Sequence, residues 1–226
     1  KAMNIQPQAR AEISRMALMG MAMIDTASIL CLTIALMMVW TTELGPETIN
    51  MHIAQLGVFF ALSIPSFIIG IVSALPAQYA LLSAARQPFF AEKISRFMLI
   101  CQSVIQTPAI FGFLVALLIS SQGSSVVGFV DALRLIAMGL TIGLGSLGPI
   151  IGLGIFAKSA CRGLGINRQA YQKLLNLALI SNAIIETPIV LSMVVAFAML
   201  GESFSDTNIL GGIRVLASAL CMGAST

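Results

Sequence analysis

The chain has 226 residues, 58% of them hydrophobic and 9% charged, with a net charge of +3 and a mean hydropathy of +0.98. A water-soluble domain carries roughly 25% charged residues, so this composition excludes one and predicts an all-α polytopic membrane protein. One histidine, His52, and four dispersed cysteines (Cys31, Cys101, Cys161, Cys221), with no CxxC or Cys/His spacing, argue against a metal site or a disulfide framework.

Apolar runs of about 20 residues span the hydrocarbon core of a bilayer. The first predicted span is 16–40, ending on Trp40, an expected interfacial anchor. The polar stretch before it starts at Lys1 and reads as an interhelical loop, not as a secretory signal, so a fragment or processed form of a longer chain is expected. The second span, 53–82, includes Pro65 and Pro76, and a single glycine lies between Leu62 and Gln78, which predicts looser packing. Spans at 94–120, 127–157 and 174–200 follow, and a sixth apolar stretch opens near Ile209. The thirteen methionines are scattered through the spans as packing residues.

The basic residues fall around three alternate connections: Lys1, Arg10 and Arg15; Arg86, Lys93 and Arg96; Lys158, Arg162, Arg168 and Lys173. The remaining connections hold Glu43 and Glu47, an uncharged Ser-Ser-Gln-Gly-Ser-Ser, and Glu202 and Asp206. Lys and Arg concentrate on the cytoplasmic side of membranes, which puts the basic loops in the cytoplasm or an organellar-matrix equivalent. Arg134 and Arg214 are exceptions, close enough to an interface to snorkel. Asp131 is expected to be a solvated cap at an outer helix start.

The spans repeat. Gln6-Pro7, Ile13-Ser14-Arg15 and Thr26 return 81 positions on as Gln87-Pro88, Ile94-Ser95-Arg96 and Thr107. Lys93, Ile100 and Gln106-Thr107-Pro108 return 80 positions on as Lys173, Ile180 and Glu186-Thr187-Pro188. Arg134, Ala137 and Gly143 likewise return as Arg214, Ala217 and Gly223. A fixed period is an architectural statement, here tandem transmembrane hairpins with a period of about 80. Residues 1–40 hold the second helix of a first hairpin with its preceding loop, 51–120 a second hairpin, 127–200 a third, and 207–226 the start of a fourth.

The two helices of a hairpin differ. The third hairpin's first helix carries Gly139, Gly143, Gly145, Gly148, Gly152 and Gly154. Small residues let membrane helices approach closely, and this array predicts tight neighbours on both sides, as in an inner ring of helices. The second helices carry a polar residue roughly 17–20 Å past the basic end, near mid-membrane: Asp25, Gln106 and Glu186. Intramembrane carboxylates are costly and mark ion pathways. Such a group has two accessible states, protonated or ionised with a bound cation, and these suit a carrier that loads at one route and unloads at another. Pro188 frees a backbone carbonyl beside Glu186, and Thr187 can donate to the carboxylate or add an oxygen ligand. Gln106 cannot release a proton and reads as a silent unit that keeps the hydrogen bond, or as part of a neighbour's ion site.

These features together resemble the proteolipid, or subunit c, of rotary ATP synthases (F-type or V-type), here as a fused multi-hairpin chain. The resemblance rests on Ala85-Arg86-Gln87-Pro88, on the glycine-rich first helix and on Ile185-Glu186-Thr187-Pro188. It implies a non-catalytic rotor-ring subunit whose mid-membrane carboxylate exchanges H⁺ or Na⁺ with a stator subunit bearing an essential arginine, coupling ion flow to rotation. Glu186 is then the ion-binding carboxylate, Asp25 its counterpart, and Arg86, Gln87 and Pro88 the loop that contacts the central stalk. Other copies or paralogues complete the ring, lipid surrounds it, and no cofactor or nucleic acid is involved. Family members of the sodium type place a glutamine on the first helix; 148–152 has none, which tilts the reading to protons. The third loop lacks an Arg-Gln-Pro, so its stalk contact is expected to differ. Two other classes compete: a non-translocating ring scaffold, and a small carboxylate-dependent secondary transporter. Transporters typically pair inverted repeats around one midplane site, whereas these repeats are parallel.

Overall fold

The computed structural model describes residues 2–42, 49–123, 128–201 and 209–225. Lys1, the acidic residues Glu43, Glu47, Glu202 and Asp206, and Ser124 and Ser125 lie outside the described residues, as do the first two positions of the expected fourth hairpin. Among the described residues the chain is helical, without strands: α1 Ala2–Ile5, α2 Arg10–Thr42, α3 Ile49–Val72, α4 Ala74–Arg86, α5 Ala91–Ile105, α6 Thr107–Gly123, α7 Phe129–Gly145, α8 Leu147–Leu164, α9 Tyr171–Leu200 and α10 Ile209–Ala224. Among the described residues, five stretches are long and apolar enough to cross a membrane: Pro7–Trp40, Ile49–Arg86, Pro88–Gln122, Phe129–Leu164 and Arg168–Leu200. This is an all-α integral membrane protein. The stretches extend the predicted spans mainly at their basic ends, because helix continues through the charged residues there until a turn stops it.

Those turns share one geometry. Short 3-10 turns occupy Pro7–Ala9, Pro88–Phe90 and Arg168–Ala170, starting 81 and then 80 residues apart. The residue before each leaves the helical region: Gln6 at φ −136°, Gln87 at φ −133° and Asn167 at φ −134°. Proline fixes φ at the first position of two turns and pushes the preceding residue out of the helical region. The third turn has Arg168 at that position, and the Asn167 side chain replaces the constraint by accepting from Gln169 N at 3.0 Å.

Helix interruptions follow prolines. Ser73 separates α3 from α4 three residues before Pro76, Ser146 separates α7 from α8 three residues before Pro149, and Gln106 separates α5 from α6 two residues before Pro108. Each proline lacks the N–H that the carbonyl four residues back would need. α3 runs unbroken through Pro65 and α9 through Pro188.

The chain forms two compact units, one of Lys1–Thr26, Ile69–Thr107 and Ile150–Glu186, the other of Ala27–Ile68, Pro108–Pro149 and Thr187–Thr226. In the second unit one core draws on α3 (Ala54, Val58, Ala61), α6 (Val115, Ala116, Ile119), α7 (Leu135, Met138, Ile142), α9 (Ile189, Ala196) and α10 (Val215, Ala219). Alanine is frequent there because lipid is as apolar as leucine: close approach and dispersion, more than removal from water, hold membrane helices together. Glycines set that approach. A Cβ on Gly139 would strike the backbone of Gly57, and one on Gly143 the carbonyl of Phe60, both on α3. A Cβ on Gly145 would strike Ser192 on α9. α7 therefore has close neighbours on two sides within this unit. In the first unit, a Cβ on Gly154 would strike Val72, and one on Gly152 would touch Ile185 at 3.6 Å. Gly148 lies half-buried in α8.

At the start of α7, Gly128 occupies the cap position and Asp131 pairs with Arg134 at 3.6 Å. Arg134 is 9% exposed and donates from Nη1 to Leu200 O at 3.4 Å. Instead of snorkelling, Arg134 is buried against the C-terminal end of α9, where a cation is favoured by the unpaired carbonyls, and Asp131, half-buried in the first turn of α7, pairs with it rather than capping the helix. Arg214 is exposed.

Candidate functional site

The repeated mid-helix positions all belong to the first unit, and they are not equivalent. Asp25 and Thr26 lie on an exposed face of α2, with Thr26 Oγ1 bonded back to Met23 O at 2.7 Å. Gln106 is 6% exposed and donates from Nε2 to the same Met23 carbonyl at 2.7 Å. Two donors thus converge on one carbonyl two residues before Asp25. The other Gln106 amide atom, Oε1, is buried without a partner.

One turn earlier on α5, Gln102 is fully buried. Its Nε2 sits among three oxygens: Gly20 O at 3.2 Å, Ser73 O at 3.0 Å and Ser73 Oγ at 3.4 Å. Ser73 is the interruption between α3 and α4, so the amide ties α2, α5 and a helix break together. Each such bond contributes about 0.5–1.5 kcal/mol net, and more is lost when a buried group is left unpaired. Gly20 matters here: a Cβ would press on Ala77 at 3.3 Å and stand 3.8 Å from Gln102 Oε1. Gln102 is not among the residues singled out by sequence, although it stands four residues, one helical turn, before Gln106.

Glu186 stands on the packed side of α9. Ala178, Asn182 and Ile189 on the same stripe are 0%, 5% and 0% exposed, whereas Ile180 and Ile184 are 63% and 67% exposed. Glu186 itself is half-buried, and its Oε1 is shielded with no hydrogen-bond partner. Thr187 is exposed. Pro188 has no N–H to give to the Ile184 carbonyl. Asn182, also missed from sequence, is one turn before Glu186, just as Gln102 is one turn before Gln106. Its Nδ2 is buried and unpartnered. Among the described residues no group of His, Cys, Asp and Glu side chains could hold a metal ion.

At the basic end, Arg86 closes α4, Gln87 is the junction and Pro88 begins the 3-10 turn. Arg86 is exposed, but the Gln87 side chain turns inward and donates to Gly165 O at 3.0 Å. Ser83 Oγ donates to Cys161 O at 2.8 Å, so the second and third loops are fastened side by side. Phe90 and Tyr171 meet edge to face, and the Lys93 ammonium lies 5.3 and 5.8 Å from their ring centres. Between the loops is an open groove of about 540 Å³ lined by Arg86, Pro88, Phe89, Ile166 and Arg168. Phe89 is wholly exposed.

No family model matches the sequence. A stretch of 67 residues, 30% of this chain, is 31% identical to ATP synthase subunit c of Chloroflexus aurantiacus and covers 88% of that protein. The match to ATP synthase subunit c of Chloroflexus aggregans has the same length, identity and coverage. An all-helical membrane chain that meets most of such a subunit at this identity belongs to the ATP synthase subunit c family.

Proposed function

We propose that this chain is a non-catalytic rotor-ring subunit of a rotary ATP synthase or ATPase, carrying H⁺ in preference to Na⁺ on Glu186 past a stator arginine. The observation that carries the reading is the Glu186 carboxyl: a shielded, unpartnered oxygen in the middle of an apolar helix, in a chain of the subunit c family. A carboxyl held there for structure would be expected to spend both oxygens on partners, since an unpaired buried polar atom costs about 1–3 kcal/mol. Asp25 is its counterpart in the first repeat, Thr187 a possible added ligand, and Gln106 a silent position. The fused-hairpin organisation, at residues 1–40, 51–120, 127–200 and 207–226, is supported by the turn that recurs at Pro7–Ala9, Pro88–Phe90 and Arg168–Ala170.

A ring of such chains needs further copies or paralogues, with the glycine-rich helix α7–α8 on its inner side. The basic turns face the cytoplasm or matrix and meet the central stalk. That contact falls to Arg86, Pro88, Phe89 and Arg168, because the Gln87 side chain turns inward, its amide nitrogen donating to Gly165 O and its Oε1 buried. Losing the carboxylate in one hairpin lowers the number of ions carried per turn while ring diameter is kept, which suits pumping against a steep gradient.

The test is carbodiimide labelling of the membrane-embedded assembly, mapped by mass spectrometry across pH with and without Na⁺. The reagent modifies protonated carboxyls in apolar surroundings. Labelling at Glu186 that falls as pH rises and ignores Na⁺ is the expected result, and Na⁺ protection at fixed pH would change the carried ion to sodium. No labelling at Glu186 or Asp25 would overturn the carrier reading in favour of a ring scaffold.

A further inference from the structure

Asn182 and Glu186 are four residues apart on α9, so their side chains share one face of the helix with Cβ atoms roughly 5–6 Å apart. Each has one shielded atom with no hydrogen-bond partner, and the two are complementary: Nδ2 of Asn182 is a donor and Oε1 of Glu186 an acceptor. Asn182 is 5% exposed, so water offers its amide little compensation. The stripe on which the pair stands is packed, with Ala178 and Ile189 fully buried on either side. Gly152 gives the stripe room, since even an added Cβ would meet only Ile185 there.

The second repeat provides an internal control. Gln102 occupies the position of Asn182, 80 residues earlier, but its amide nitrogen is committed to Gly20 O and Ser73. Its neighbour one turn on is the amide Gln106, which has no proton to exchange. The first repeat has Met21 at this position, which is 52% exposed, beside an exposed Asp25. An uncommitted buried amide therefore occurs in the repeat that keeps a shielded carboxylate.

We infer that Asn182 is a positioning residue for the ion-carrying carboxylate: a side-chain rotation on the shared face brings Nδ2, unbonded in this structure, to donate to Glu186 Oε1 and so holds the carboxyl against the packed face of α9 while the hairpin faces lipid. This deepens the rotor reading above and rests on it. The donor serves both states of the group: it bonds the carbonyl oxygen of the protonated acid and the oxygen of the carboxylate.

The experiment is infrared difference spectroscopy of the intact membrane assembly, with the Glu186 carboxyl band assigned by its loss in E186Q. Removing an amide donor raises the C=O stretch, so the band should move to higher frequency in N182L and return toward its original place in N182Q. Should N182L not be recovered in the membrane, N182A is read in the same way. A band that stays in place in N182L or N182A overturns the inference, whatever the ion flux. If E186Q leaves ion flux intact while the band still moves in N182L, the hydrogen bond stands and the rotor reading falls, so the two failures are separable.

Discussion

The second and third repeats carry the same Ile-x-Thr-Pro signature and use it in opposite ways. At Ile105-Gln106-Thr107-Pro108 the helix breaks, and the polar side chains are tied into the packing: Gln106 to Met23 O, Gln102 to Gly20 O and Ser73. At Ile185-Glu186-Thr187-Pro188 the helix continues, and Nδ2 of Asn182 and Oε1 of Glu186 on its packed face have no partners. The amide at this position is a clamp between helices, where the carboxylate is not. The difference lies in the donors, since Oε1 of Gln102 and Gln106 is as unpartnered as that of Glu186: an amide nitrogen committed across helices rigidifies the packing, and an uncommitted one does not.

The largest effect that would break this comparison belongs to the carboxylate. E186Q, which gives the third repeat the amide of the second, should abolish ATP-driven ion flux and carbodiimide labelling at 186 while the assembly stays intact in the membrane. Flux at the wild-type level would place the carrier elsewhere. Next comes the packing on which both repeats depend. G139A forces a Cβ into the backbone of Gly57, where no flexible side-chain end can yield, and should cost roughly 3 kcal/mol or more. The loss would appear as a lower unfolding temperature in detergent and as failure to assemble. G148A, at a half-buried position, should be milder.

The clamp and the free amide then separate quantitatively. Q102L leaves Ser73 O and Gly20 O without their side-chain donor and should destabilise by about 1–3 kcal/mol. N182L removes an amide nitrogen that bonds nothing in this structure, so its thermal cost should be distinctly smaller and its effect should fall on Glu186. Equal losses of stability for the two variants would erase the distinction between a structural and a functional amide.

How far the sequence reveals this depends on chemical contrast. The spans are legible because charge is so sparse, and the period because Gln-Pro and the mid-helix polar residue stand out from an apolar background. Glycine at 139 and 143 is legible as close approach because no other residue would fit. The faces of α2 and α9 are not legible in the same way. Leu18, Leu32, Ile180 and Ile184 are exposed, while Ile13, Ile34 and Ile189 are buried, and hydropathy does not separate them because lipid and protein interior are both apolar. Gln102 and Asn182 could have been found from their spacing of four to the repeated position. Their different commitments could not, since those depend on where Ser73 interrupts a helix in another span. The inward turn of Gln87 is hidden for the same reason: its acceptor, Gly165, is 78 residues away.

The smallest effect concerns the basic turns, where sequence and backbone disagree most. The third turn lacks the proline of the other two, yet Asn167 has φ −134° and ψ 100°, close to the φ −136°, ψ 84° of Gln6 and the φ −133°, ψ 72° of Gln87 that precede those prolines. The backbone donors at this turn are Ile166 and Asn167 to Gly163 O, Ala170 to Asn167 O, Gln169 to Asn167 Oδ1 and Tyr171 to Arg168 O, so a proline at 168 removes no bond seen among these described residues. R168P should therefore stabilise the folded chain by about 0.4–1 kcal/mol, through fewer conformations in the unfolded chain, read as a small rise in unfolding temperature. It also removes one of the two arginines lining the groove beside Phe89. A chain that becomes more stable but binds the stalk less well would show that Arg168 is kept at this turn for contact, at the expense of the backbone constraint proline supplies in the other two repeats.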